Sequence, residues 1–446
     1  MKSSHQLFRE ISPPLPSNLE FIFNLSPSAM TLGLGNMRAL LARIDHPEKS
    51  FRSVVIAGTN GKGSVAAYLA SLLHANGLAV GRYTSPHVYS VTERVWVSGE
   101  PISLERMEAL ASRIVPLYST VPFSYFEAIT AIAFLEFAER GVDYAVLEVG
   151  LGGRFDATNV VDPSLTILTN ISIDHRRILG DSEEEILREK LGITREGVPL
   201  LIGNLSDGIL PILERKAKRD GVPLLKLDGI GTASLDELSV HTIRAKIRTN
   251  RSDYGELRLP FKGEQQIYNA LLAVGAAECL LERVHNVSGA FESTYLPGRF
   301  EAFKRSGKTF FLDVAHNDAA LSASAETLSK ISEPESNAVV IGMMRRKELM
   351  HSPGRFLTSA KRVYLTAPEA GEAYAPQELL AKFFPEAARR ARCEVVVWNS
   401  DNPSTGWDLL VRTLLHPSTR FSNILVTGSH RTVECFGRRL FEKEME

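Results

Sequence analysis

The run Ile56-Ala57-Gly58-Thr59-Asn60-Gly61-Lys62-Gly63-Ser64 constrains this chain more than any other stretch. An apolar run, Ser53 to Ala57, leads into it, and a helix-permissive run, Val65 to His74, leads out. Strand, glycine-rich turn and helix together aim backbone N–H groups and a positive helix end at a phosphate. The glycines let the backbone fold tightly and approach the phosphate oxygens. Lys62 can reach terminal phosphates, and the Ser64 hydroxyl can sit on Mg²⁺. General P-loops place Ser or Thr directly after the Lys, whereas here Gly63 intervenes. The competing reading is a glycine-rich surface turn before an ordinary helix.

The rest of the chain favours the phosphate reading. Apolar runs at 79–83, 144–149, 165–168 and 200–203 read as strands, and 104–117, 126–139 and 182–194 read as helices. Ser182 and Glu185 form a capping box for the last of these. Alternating strands and helices predict a doubly wound, mostly parallel α/β sheet. The strands run out into Thr59, Ser85, Glu148 and Asn170, and ligands bind at that edge of open α/β sheets. Residues 223–260 read as a small β insertion, and Gln265 to Val284 as a long helix rich in small residues. After a Pro-Gly turn at Leu296-Pro297-Gly298-Arg299 the alternation restarts, which predicts a second, Rossmann-like α/β lobe. The expected division is an ATP-binding unit over 1–296 and a second unit over 297–446.

With 446 residues the chain exceeds what one core usually serves. A formal net charge of −1 gives no global field for nucleic acid or an anionic membrane. No apolar run is long enough to span a bilayer, and Met1 to Pro16 has no apolar signal core. Three scattered cysteines (Cys279, Cys393, Cys435) argue against a disulfide framework and for a reducing cytosol, and are expected as buried small hydrophobes.

A phosphate loop with a divalent cation needs oxygen ligands, and Ser85 and Glu148 stand at the expected rim. Asp174-His175 and Lys190 follow; on residue type alone His175 is a ligand or a local hydrogen-bonder, and Lys190 a solvated helix residue. Arg299 and Asp313 either reach into a cleft between lobes or pair with each other. Such a cleft closes over reactive phosphate intermediates.

Taken together, Gly58 through Ser64, Thr84-Ser85-Pro86-His87, Glu93-Arg94, Glu148 through Asn159, Asp174-His175, Glu189 through Ile193, Leu296 through Phe300 and Asp313 through Asn317 resemble the folylpolyglutamate synthase/dihydrofolate synthase family of the Mur ligase superfamily. The resemblance runs in order over nearly the whole chain, and Gly63 between Lys and Ser is that family's own form of the loop. It implies ATP-dependent phosphorylation of a pteroate or folate carboxylate, followed by attack of the L-glutamate amine on the acyl phosphate. It assigns Asn60, Gly61, Lys62, Gly63, Ser64, Asn269, Arg299 and Asp313 to ATP. Ser85, Glu148, His175 and Lys190 go to two Mg²⁺ ions, with Lys190 carried as a carbamate. Thr31 to Leu34 (Thr31, Leu32, Gly33, Leu34), Ser124, Tyr125, Phe126, Glu127, Phe155, Asp156 and Ala157 match the family's pterin pocket. Lys62, His175, Lys190 and His316 are the implied catalytic set. The substrates would be dihydropteroate or a reduced folate plus glutamate, on a cytoplasmic monomer without nucleic-acid or membrane partners. The chain departs from the family's habit at Gln265, Leu191 and Arg346-Lys347-Glu348. A Mur-type ligase for another carboxylate, or a non-catalytic nucleotide-binding member of the fold, are the alternatives; an intact set of Lys62, Glu148, His175 and Lys190 disfavours the latter.

Overall fold

Strand β1 (Arg52–Ala57) starts exposed and then buries five consecutive residues, the pattern of a strand covered on both faces. In a computed structural model, which describes residues 15–25, 33–345, 352–368, 371–385, 393–398 and 403–442, it sits inside an eight-stranded sheet. The other strands are β2 (Val80–Tyr83), β3 (Val95–Val97), β4 (Glu100–Pro101), β5 (Tyr144–Glu148), β6 (Pro163–Leu168), β7 (Leu200–Ile202) and β8 (Leu224–Lys226), in the order β4-β3-β2-β5-β1-β6-β7-β8. β2, β5, β1, β6, β7 and β8 run parallel, and β3 and β4 add an antiparallel edge. Four neighbouring parallel strands therefore end on one rim, as their polar endings predict.

Both faces of this sheet are covered. The helix α1 (Lys62–Ala75) is buried continuously from Gly63 to Leu73, because it lies between the sheet and a long helix, Gln265–Leu280. A helix hydrophobic all round belongs in such a place. On the opposite face lies the helix Tyr125–Glu139, buried from Ala128 to Phe137 and capped by a box between Ser124 and Glu127. The capping box at Ser182 and Glu185 is present as expected.

Leu224–Lys226 was expected inside the small β unit, but it pairs in parallel with β7 and widens the main sheet. Its two leucines continue the apolar run of the neighbouring strand. The small unit is an antiparallel sheet of β9 (Gly231–Leu238), β10 (Ile243–Thr249) and β11 (Asp253–Arg258). Cys279 also differs from expectation: it is exposed, near the outer end of its helix, whereas Cys393 and Cys435 are buried.

The second lobe is a six-stranded sheet of β12 (Glu301–Arg305), β13 (Lys308–Leu312), β14 (Asn337–Ile341), β15 (Arg362–Leu365), β16 (Glu394–Val397) and β17 (Asn423–Thr427), ordered β12-β13-β17-β14-β15-β16. All of its neighbours run parallel except β12 with β13. The helix α2 (Asp318–Ile331) follows β13. Val88 and Tyr89, from the first lobe, are built into one of this lobe's cores, with Tyr89 edge-on to Phe441 at 5.9 Å.

The turn after β5 is stitched to the segment carrying Lys190. Arg154 N–H donates to the Glu189 carbonyl at 3.0 Å. A Cβ on Gly192 would stand 2.4 Å from Arg154 Cα, so only glycine permits this approach. We expect Gly192→Ala to cost about 1–3 kcal/mol by overpacking, read as a lower urea midpoint at unchanged slope.

Candidate active site

The rim residues of both lobes face one cavity of about 310 Å³. Its floor is the loop at 58–63. Gly58 and Gly61 have φ of +148° and +82°, and Gly61 is the N-cap of α1. A Cβ on Gly58 would fall 1.9 Å from Thr169 Oγ1, so the chain needs glycine there. The loop is tied to the end of β6. Asn60 N–H donates to Asn170 Oδ1 at 3.0 Å, and the Asn60 carbonyl accepts from Thr169 Oγ1 at 2.6 Å. Thr59 exchanges hydrogen bonds with the Ser172 backbone at 3.0 and 3.1 Å. These bonds hold the loop in shape from behind and leave its helix N-terminus facing the cavity.

Two ammonium groups meet on the loop. Lys62 Nζ donates to the carbonyls of Gly58 and Thr59 at 3.0 and 3.1 Å, and Lys190 Nζ donates to the same Gly58 carbonyl at 2.7 Å. Lys190 is only 4% exposed. Burial first, and the Lys62 charge second, bring its pKa from 10.5 to about 7. Lys190 is therefore no solvated helix residue.

Glu148 ends β5 beside them, buried, and accepts from Ser85 N–H at 2.9 Å. Burial raises its carboxyl above the usual range, opposed chiefly by Lys62, the Ser85 N–H and Arg299. Gly63 fills the gap between Glu148 and Arg299: a Cβ there would lie 3.1 Å from Glu148 Oε2 and 3.2 Å from Arg299 Nη2. Burial lowers the Arg299 pKa, and the charges of Glu148 and Asp313 raise it in opposition. Asp313, at the end of β13, accepts from Phe300 N–H at 3.3 Å and from the Ser324 hydroxyl; burial raises its pKa. Arg299 thus stands between carboxylates of the two lobes.

On the far wall, His316 Nδ1 lies 2.9 Å from the Val314 carbonyl, which can only accept, so Nδ1 carries the hydrogen. Its Nε2 lies 3.7 Å from Asp174 Oδ2, and His175 Nε2 lies 3.9 Å from Asp174 Oδ1. His175 takes a left-handed backbone, φ +52°, before a short helix. Asn269 donates to Gln266 Oε1 at 3.0 Å, and its side chain occupies the space a Cβ on Gly61 would need.

Thus the cavity brings together Asn60, Gly61, Lys62, Gly63, Ser64, Ser85, Glu148, His175, Lys190, Asn269, Arg299, Asp313 and His316. Among the described residues, the expected pterin set does not line it. Ser124 and Glu127 are engaged in capping, and Asp156 accepts from Leu151 N–H and from Thr158 N–H and Oγ1 at 2.6–3.0 Å. Ala157 is buried, while Gly33, Leu34 and Tyr125 are partly buried. Phe126 packs against Gly150, which does line the cavity. Phe155 is 47% exposed, with the Arg154 guanidinium 5.1 Å from its ring centre. Thr31, Leu32 and Arg346-Lys347-Glu348 lie outside the described residues. Sequence reasoning gave Asn317 no role, although it ends a matched segment, and missed the small-residue face of α2 (Ala319, Ala320, Ala323, Ser324), which lines the cavity. The spacing of those small residues on one helix was the available signal.

Glu148, Ser85 and Ser64 offer hard oxygen donors of the kind Mg²⁺ takes together with water and phosphate. Among the described residues no group of three or more His, Cys, Asp or Glu side chains forms a metal-holding cluster. The donor set therefore fits an ion that shares its shell with a phosphate ligand.

The Mur ligase middle domain matches residues 56–277, and the Mur ligase glutamate ligase domain matches 298–430. The dihydrofolate synthase/folylpolyglutamate synthase of Bacillus subtilis is 35% identical over 92% of this chain and 95% of its own length. That of Escherichia coli is 30% identical over 95% of each. Among solved structures, Mycobacterium tuberculosis folylpolyglutamate synthase complexed with ADP and AMPPCP superposes with a TM-score of 0.77 at 30% identity, covering 92% of this chain and 95% of its own. Escherichia coli FolC in complex with DHPP and ADP gives 0.81 at 27% identity, covering 98% and 100%. A cleft between two α/β lobes, a glycine-separated lysine loop and similarity along almost the full length all agree: the chain belongs to the dihydrofolate synthase/folylpolyglutamate synthase family of Mur ligases.

Proposed function

We propose that this chain joins L-glutamate to the carboxylate of dihydropteroate or a reduced folate at the expense of ATP. The observation that carries this is the convergence of Lys62, Glu148, Lys190, Arg299, Asp313 and His316 on one cavity built from both lobes. A carboxylate is a poor electrophile, and its oxygen must first displace ADP from the γ-phosphoryl group. The resulting acyl phosphate has a leaving group; the glutamate amine attacks its carbonyl carbon, and phosphate departs as the amide forms. Binding of the nucleotide phosphates draws Lys62 off the loop carbonyls it now caps. Its charge and the N-terminal N–H groups of α1 then face the oxygens where negative charge accumulates. Arg299 neutralises the same charge from the side of the second lobe. Asp313 suits a ribose hydroxyl, and the small face of α2 leaves room for a base. With Nδ1 holding its hydrogen on the Val314 carbonyl, Nε2 is the His316 nitrogen that can accept a proton from the glutamate ammonium.

Ser85, Ser64 and Glu148 would hold Mg²⁺, with His175 and Lys190 at a second ion. Bound there, Mg²⁺ lowers the cost of charge on the transferring phosphoryl group. A lysine with a pKa of about 7 holds much free amine at neutral pH, the form that adds CO₂ to give a carbamate and a proton. This supports a carbamylated Lys190. We place the unit boundary at Leu296, between the helix Val287–Glu292 and the first strand of the second lobe, β12. Both sides of the cavity come from one chain, which supports a monomer. The cysteines are free thiols, in keeping with a reducing cytoplasm.

Lys62→Ala is expected to lower the rate of ATP-dependent amide formation at least about a hundredfold, with circular dichroism and melting unchanged. Wild-type turnover in that variant contradicts the mechanism. Lys190 makes a second prediction. Between pH 7 and 10.5 the unfolded chain binds a proton that the folded chain has released, so this group makes stability rise with pH across that window. Urea unfolding should therefore show wild type gaining on Lys190→Met from pH 7 to 10. A difference independent of pH contradicts the depressed pKa.

A further inference from the structure

Asn317 lies at the start of α2 and is 3% exposed. Its side chain reaches across the cleft. Asn317 Nδ2 donates to Asn60 Oδ1 at 2.9 Å and to Asp174 Oδ2 at 3.1 Å. Asn60 Nδ2 donates back to Asn317 Oδ1 at 3.3 Å. The same Oδ1 accepts from Ala320 N–H at 3.0 Å, capping α2. One amide thus uses two donor hydrogens and two acceptor directions, and three of its four bonds leave its own lobe. Asn60 is the middle of the phosphate loop, and its backbone is fixed by Asn170 and Thr169. Asp174 faces His175 and His316.

We infer that Asn317 is a positioning residue that latches the second lobe onto the phosphate loop, so that Lys62 and His316 share one cavity only while the Asn317–Asn60 pair is formed. Asn317 is buried and Asn60 half-buried, so breaking the pair within the closed cleft leaves the Asn317 amide short of partners, at a cost. Opening the cleft exposes both amides to water and relieves that cost, which makes the latch reversible. The pair therefore biases the closed arrangement without locking it, as a closing cleft requires. This inference rests on the ligase reading for its kinetic readout.

Capping and latching can be separated by substitution. Ser and Asp cap helices about as well as Asn. Asn317→Ser retains an oxygen for Ala320 N–H but is too short to span the cleft. Asn317→Asp retains the cap, lacks the donor hydrogens, and sets a carboxylate against Asp174. Both variants should melt within about 2 °C of wild type, since a retained cap leaves the helix end satisfied. Both should lose at least tenfold in kcat for glutamate-dependent ADP release, with KM for ATP changed less than threefold. Asn60→Ala combined with Asn317→Ser should be no worse than the poorer single variant, because the two residues form one interaction. In small-angle scattering, Asn317→Ser should show a larger radius of gyration than wild type. Wild-type kcat in the Ser and Asp variants, or losses that multiply in the double variant, would overturn the latch. If wild type itself releases no ADP, the ligase reading falls, and the scattering comparison alone decides the latch: an unchanged radius refutes it.

Discussion

The absence of a side chain at Gly63 is the constraint on which the rest of this structure depends. Glu148 from the first sheet and Arg299 from the connection between lobes approach from opposite sides, and a Cβ would stand 3.1 and 3.2 Å from them. Leu296, just before the connection, comes equally near, at 3.1 Å. Loop, strand end and connection thus meet at one point. A Cβ here would make the carboxylate, the leucine and the guanidinium each give way to it. The glycine that interrupts a general phosphate loop leaves room for Glu148, Leu296 and Arg299 to meet at it.

Charges held this close and this deep are costly unless they answer one another. Burial raises Glu148 and Asp313 and lowers Arg299 and Lys190; Arg299 opposes the shift of both carboxylates and they oppose its own, while Asp174 and Asp156 oppose that of Lys190. Lys62 and Lys190 share one carbonyl of the loop. Such a site gains from an incoming polyanion, because phosphate oxygens satisfy the ammonium groups better than a single carbonyl does. Binding and preorganisation here are two aspects of one arrangement.

Much of this was legible in the residues. Fully buried parallel strands read as apolar runs, so β1, β5, β6, β13, β14 and β17 announce themselves, and their polar endings mark the rim. Short strands at the sheet margins do not: β4 and β12 carry charged residues, β3 is only three residues long, and all three are defined by their neighbours. Leu224–Lys226 was misplaced because three residues carry no periodicity, and only pairing with β7 decides its sheet. Within the site, loop and strand-end residues were readable because local chain geometry fixes them. Asn317 was not, because its partner Asn60 lies 257 positions away, and no local pattern encodes a contact across a cleft. Among the described residues, those matched to a pterin pocket do not line the main cavity, and several serve as caps, a role that Ser-x-x-Glu spacing also signals.

One cavity, shared by two lobes, couples ATP cleavage to amide formation. Glutamate-dependent ADP release by the intact chain, measured first with dihydropteroate and then with a reduced folate as acceptor, tests it most directly. ADP should be released in step with new amide for at least one acceptor, and not at all when glutamate is withheld. Release with neither acceptor, or release that ignores glutamate, would contradict it.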